Sequence, residues 1–253
     1  MAIDYTPARW DALRARYAAW RSRDDGAPLL GWISLRDPGR PKPKAPLLSQ
    51  ATCTDFSWSA DELADAISYH LEQQQYGGAA YPRFSMEAFG PGVLAAFCGA
   101  DIELSSTNNV WFKAPRKPID QISIRFDEDN RWFRRVYRIF ESCARRFEGN
   151  AVLGMTDLGG VADVVATFVG SQELLYALYD DPDEVKRLMR EAHEAWWQAY
   201  GLLNGCLADA MPGYSDWFGV YYPSPSGYIL QSDFSYMISP AMFREFIQPE
   251  LAA

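Results

Sequence analysis

Apolar residues recur at helical spacing along several stretches of the chain. Thr6 and Pro7 can start a helix, and Trp10, Leu13, Tyr17 and Trp20 then share one stripe. Ser59 and Glu62 have the spacing of a capping box, ahead of Leu63, Ile67 and Leu71. Around residues 130–147, Trp132, Phe133, Val136, Tyr137, Phe140 and Phe147 form a buried face. Asp181, Pro182, Asp183 and Glu184 place acidic groups in a first turn, which suits the helix dipole; the apolar stripe behind them runs from Val185 to Leu203. Near the end, Ser239 is a good N-cap and Pro240 suits the first helical position. Met242, Phe243, Phe246 and Ile247 follow on one face, and Pro249 should break or kink that helix.

Between these helices lie short apolar runs bounded by turn residues. Residues 29–35, 79–84, 151–155 and 228–231 read as buried strands. Strand alternating with helix predicts parallel βα units. The expected fold is therefore α/β, part of a TIM (β/α)8-type barrel of roughly four or five strands, with an N-terminal helix. Residues 101–126 break the rhythm: Ile122, Ile124 and Phe126 alternate with Ser123 and Arg125, which predicts a small β-meander excursion. No repeat of 20–50 residues is visible, so a single domain over residues 1–253 is expected, with the barrel incomplete at its C-terminal side.

With 253 residues and 48% hydrophobic content the chain can bury a core. A net charge of −9 argues against binding nucleic acid or anionic lipid. The arginines at 134, 135, 138, 145 and 146 have helical spacing and read as a solvated face. The start has no secretory pattern, and no apolar run approaches the roughly 20 residues that span a bilayer. Cys53, Cys98, Cys143 and Cys206 are widely separated, which fits reduced thiols and a cytoplasmic location. His70 and His193 share no ligand spacing with a cysteine, so no metal site is expected within this chain.

The segment from Ser232 to Pro249, with its Ser-Pro and spaced Phe and Pro residues, resembles a strand–loop–helix block of the uroporphyrinogen decarboxylase superfamily, which includes corrinoid-dependent methyltransferases. Residues 89–99, with Gly90, Pro91 and Gly92, resemble that family's turn and helix after its second strand. Residues 153–160, ending in Asp157, Leu158, Gly159 and Gly160, resemble a later strand and loop, and residues 174–190 a following helix pair. The resemblance is spread over most of residues 28–253, about the N-terminal two-thirds of the family's length. Arg36, Gly39 and Arg40 repeat a spacing that, in the decarboxylases, holds tetrapyrrole carboxylates; guanidinium matches carboxylate well. Tyr81, with Arg83 nearby, stands where the resemblance expects a pyrrole-binding aspartate, and a neutral phenol cannot supply that charge.

The departure at Tyr81 favours the methyltransferase side, with a tetrapyrrole or methyl-corrinoid as the small-molecule partner. The resemblance implies that zinc and a corrinoid would belong to a longer parent chain, and that this chain alone holds no cofactor. Asp157 and Asp233, both at strand-to-helix junctions, are the candidate catalytic carboxylates; Arg36, Arg40, Tyr81 and Arg83 are the candidate substrate-binding residues. The aromatic run 214–228 could wall a ligand pocket or form a dimer interface. A glycoside hydrolase-type barrel and a non-catalytic truncated barrel remain open alternatives. An open barrel leaves strand edges unpaired, so a homodimer is expected.

Overall fold

The computed structural model describes residues 3–22, 28–107, 109–222 and 227–252. In chain order the elements are helix α1 (Pro7–Ser22), strand β1 (Gly31–Leu35), α2 (Ala60–Glu72), β2 (Gln74–Gly78), β3 (Arg83–Phe84), α3 (Leu94–Phe97), β4 (Asp101–Leu104) and β5 (Val110–Lys113). They continue with α4 (Arg131–Phe147), β6 (Val152–Leu153), α5 (Val161–Val169), α6 (Ser171–Asp180), α7 (Pro182–Leu207), β7 (Tyr214–Ser215), β8 (Tyr221–Tyr222), α8 (Pro240–Met242) and α9 (Gln248–Ala252). The described strands pair as four two-stranded sheets, and the chain forms two compact units.

The first unit comprises residues 1–88, 137–156 and 204–228. In it, β3 and β6 pair in parallel, as the sequence predicts, with Arg83 opposite Val152 and Phe84 opposite Leu153. The amides of Val152 and Gly154 donate to the carbonyls of Pro82 and Phe84, and that of Met155 to the Ser215 carbonyl. This even–odd alternation leaves residues 152–155 flanked by extended chain on both sides. Beside them sits an aromatic cluster. Tyr221 stacks on Trp10 at 6.2 Å between ring centroids and meets Tyr81 at 5.1 Å and Tyr17 at 5.2 Å. The aromatic run 214–228 thus feeds the core, with Tyr214 and Tyr221 buried; its residues 223–226 lie outside the described ones.

One expectation for this unit needs correction. Residues 29–35 do not form a buried strand: all five residues of β1 are exposed, and β1 pairs antiparallel with β2. The sequence of β2, Gln-Gln-Tyr-Gly-Gly, has no apolar alternation, so periodicity does not reveal it. The space over Gly77 is filled by the Trp32 indole, since a Cβ there would lie 2.1 Å from that ring. The loop after β1 is anchored to α2. Arg40 forks onto Glu72, Nε to Oε2 at 2.6 Å and Nη2 to Oε1 at 3.2 Å, and Nη1 pairs with Asp65 at 3.1 Å.

The second unit comprises residues 89–136, 157–203 and 229–253. The excursion is a β4–β5 hairpin, with Asp101 opposite Lys113 and Leu104 opposite Val110; residue 108 lies outside the described ones. Ile122 and Ile124 are buried and Ser123 and Arg125 exposed, as their alternation predicts, yet residues 122–126 join no strand ladder. Side chains of α7 take the place of a partner strand: Glu191 accepts the Ile124 amide at 2.8 Å, and Arg187 donates to the carbonyls of Ile119 and Ile122. Residues 228–231 also form no strand. Ser239 caps the last helical segment by accepting the Met242 amide. Pro249 does not end it: a wide π turn over Phe243–Ile247 comes first, and the helix runs on to Ala252.

The capping box predicted at Ser59 is present. Its hydroxyl accepts the Glu62 amide at 3.2 Å, and the Glu62 carboxylate accepts the Ser59 amide at 2.9 Å. Ser59→Ala removes the acceptor for one orphan N–H of α2 and should lower the unfolding free energy by about 1 kcal/mol. Urea unfolding of the two proteins, compared at equal slope, checks this; an unchanged midpoint would rule it out.

Candidate functional site

The second unit brings together the loops that carry its carboxylates. After Asp157 the chain runs Leu158-Gly159-Gly160 into α5, and the two glycines allow very close approach. A Cβ on Gly159, whose φ is +85°, would lie 2.6 Å from the Gly92 Cα. A Cβ on Gly160 would lie 2.4 Å from both the Gln231 carbonyl and Asp163 Oδ2. The Asp157 carbonyl accepts the amides of Gly92 and Val93 at 3.1 and 3.0 Å. The turn at 90–92, the loop at 157–160 and the segment at 231–234 therefore form one packed cluster.

Asp157 is 4% exposed. Its Oδ1 accepts both the Gly159 amide at 2.8 Å and the Gln231 side-chain amide at 2.7 Å. Burial pushes its carboxyl up to about 6; the donors from Gly159, Gly92 and Gln231 oppose this, and the Asp233 charge adds to it. Asp163, in the first turn of α5, accepts the Asp233 amide at 3.0 Å and the Phe234 amide at 2.7 Å. It thereby caps the 3-10 helix Asp233–Met237 from a distant part of the chain. Its carboxyl is also raised, by burial first and by the Asp233 charge as well. Asp233 itself is exposed. Asp163 and Asp233 line an open cleft of about 460 Å³, walled by Trp111, Phe112, Tyr236 and Met237, with Arg116 also on its lining. Arg116 donates to the carbonyls of Thr167 and Phe168 at the end of α5.

Of the residues singled out from sequence, Asp157 and Asp233 come together in this unit. Arg36, Arg40, Tyr81 and Arg83 belong to the first. There Arg36 Nε donates to the Glu72 carbonyl at 2.7 Å, and its Nη1 pairs with Asp4 at 3.5 Å. Arg83 donates to Ser215 Oγ at 2.7 Å and to the carbonyls of Asp216 and Trp217 at 2.8 and 3.2 Å. Tyr81 is buried, and its hydroxyl donates to Ser215 Oγ and the Gly219 carbonyl; burial raises its pKa strongly, so the phenol stays neutral. These polar groups hold the loop after β7 in place.

Sequence reasoning passed over Gln231 and Asp216. Gln231 had no motif to mark it. Asp216 is fully buried, accepting the amides of Gly219 and Val220 and the Tyr222 hydroxyl, and its spacing from Gly219 was the available turn signal. Among the described residues no group of three histidine, cysteine or acidic side chains is placed to hold a metal. His70 meets Gln74, and His193 pairs with Glu250. No single helix among the described residues is long and apolar enough to cross a membrane.

The Asp157 geometry fixes a pH dependence. A carboxyl raised from 3.8 to about 6 on folding stabilises the fold fully below about pH 4, and that contribution is lost as pH rises through 6. Asn can present the same Oδ1 to Gly159 and Gln231 without the charge. Asp157→Asn should match the wild type near pH 4 and exceed it by up to roughly 3 kcal/mol at pH 8. The rest of the chain is identical in the two proteins, so the difference isolates Asp157. Paired denaturant titrations at the two pH values measure it, and a pH-independent difference would contradict the assignment.

No family model and no curated protein matches the chain. Among solved structures, a methyltransferase from Methanosarcina mazei superposes with a TM-score of 0.53 at 17% identity, over 85% of this chain and 62% of that one. The chain thus spans less than two thirds of that protein's length. At this identity the likeness is one of fold: the chain shares a mixed α/β architecture with a methyltransferase.

Proposed function

We propose that the chain belongs to a methyltransferase-type enzyme of the uroporphyrinogen decarboxylase superfamily, built on a (β/α) barrel of which it supplies the N-terminal part. The observation that carries the chemistry is the cleft of the second unit, where Asp163 and Asp233 meet an aromatic wall and the Asp233 charge reaches the buried Asp157. The parallel pairing of β3 with β6 and the likeness to a methyltransferase support the fold half of this reading.

In this reading Asp233 is the catalytic carboxylate. As a thiol acceptor's sulfur forms its bond to the methyl carbon, the donor–methyl bond breaks with its electron pair leaving to the donor, and the thiol proton passes to Asp233. Asp157 is a positioning residue: its Oδ1 accepts the side-chain amide of Gln231, two residues before Asp233. A methyl-corrinoid is the donor class this reading favours, but none of the described residues is assigned to hold it. The described side chains do not form a zinc ligand set, and no step here runs through zinc. Tyr81, buried and neutral, offers no fixed negative charge to a pyrrole, which weighs against uroporphyrinogen as substrate.

Methyl transfer from a methyl-corrinoid to a panel of small thiols tests the reading. Asp233→Asn should lower turnover by about 10²–10⁴-fold, the span of general acid–base catalysis. Asp157→Asn, which keeps the Oδ1 that accepts from Gly159 and Gln231, should retain turnover, whereas Asp157→Leu, which removes it, should lower turnover. Unchanged turnover in Asp233→Asn, or decarboxylation of uroporphyrinogen by the wild type, would reject it.

A further inference from the structure

The free edge of β1 carries an unusual surface. Leu30, Trp32, Ile33 and Leu35 are 68%, 63%, 55% and 81% exposed, and the strand contains no charged residue. Among the described residues its only strand partner is β2. The Leu30 carbonyl accepts the Ala79 amide and the Arg36 amide donates to the Gln73 carbonyl, so even-numbered residues bond towards β2. In an antiparallel ladder the odd ones, Gly31, Ile33 and Leu35, then present their N–H and C=O groups outward. The other side of the pair is closed: Arg9 donates to the Tyr76 carbonyl, and Tyr5 packs edge-on against the Tyr76 ring. One sheet edge is open, apolar and uncharged, which soluble proteins normally avoid.

We infer that β1 pairs with β1 of a second copy of this chain, antiparallel about a two-fold axis through Ile33. The strand sequence argues for self-pairing. Around Ile33, Gly31 falls opposite Leu35 and Trp32 opposite Ser34, so each bulky side chain meets a small one at both ends. The three outward-facing residues exchange hydrogen bonds with their mates. The exposed parts of the four apolar side chains come to roughly 500 Å² per copy, and a total on the order of 1,000 Å² reaches the lower bound of a specific interface. Since β2 has its outer side covered, pairing stops at two copies and does not propagate. The inference is independent of the chemistry in the second unit.

Light scattering on the full chain after size exclusion should give a dimer mass. Ile33→Lys and Ile33→Glu each place like charges across the axis and should each be monomeric with wild-type circular dichroism. Mixing the two variants should restore the dimer, a result that misfolded protein cannot give. Ile33→Cys should form an intermolecular disulfide under mild oxidation, because the facing Cα atoms of a hydrogen-bonded pair lie about 5.5 Å apart. Ser34→Cys should not, as it faces Trp32. A monomeric wild type, a dimer that survives both charge variants, a mixture that stays monomeric, or a disulfide at position 34 in place of 33 would overturn the proposal.

Discussion

The second unit depends on two consecutive glycines that leave no room for a side chain. Gly159 lies against the Gly92 backbone and Gly160 against the Gln231 carbonyl, so loops far apart in sequence are held at backbone contact. A Cβ at either position would push the loops apart, and at Gly159 the positive φ would add strain. That closeness buries Asp157, lets its carbonyl accept two amides of the turn at 90–92 and brings the Gln231 side chain within hydrogen-bonding distance. It also places Asp163 where its carboxylate can cap the 3-10 helix that begins at Asp233. The cleft walls follow from this packing.

What was legible in the sequence follows from what each signal measures. Helix starts were read well because the cap chemistry is local: Ser59 with Glu62, and Ser239 with Pro240, lie within three residues of the groups they satisfy. Strands were read poorly where the stabilising partner is not another apolar strand. Gln74–Gly78 forms a strand because Tyr76 packs against Tyr5 and the glycines admit Trp32, none of which shows as alternation. Residues 122–126 alternate correctly, but their backbone groups go to Glu191 and Arg187.

The candidate site divides in the same way. Asp157 was marked by the glycines that follow it, and Asp233 by the helix start after it. Gln231 has no local mark, since its role exists only once residue 157 is brought beside it. The Arg36 and Arg40 spacing was visible from the sequence, but the acceptors that take their donors lie at Glu72, more than thirty residues on. Spacing shows that a guanidinium is present; it does not show which acceptor it meets.

Carboxylates in this chain meet two kinds of surroundings. In the first, arginines meet carboxylates: Arg40 with Glu72 and Asp65, Arg146 with Asp65 and Arg145 with Asp61. In the second, Asp157 and Asp163 are raised by burial and by the Asp233 charge, and the groups opposing that rise are amides, not cations. Amide donors offset part of the desolvation cost, but a guanidinium would offset more and would lower both pKa values. Such surroundings also serve a structural carboxylate: the fully buried Asp216 of the first unit accepts the amides of Gly219 and Val220 and the Tyr222 hydroxyl. A proton-transfer site gains from them, since a carboxyl held near neutrality gives and takes a proton where a salt-bridged one cannot. Asp157, with its carboxyl raised to about 6 and amide donors from Gly159 and Gln231 on Oδ1, meets that condition.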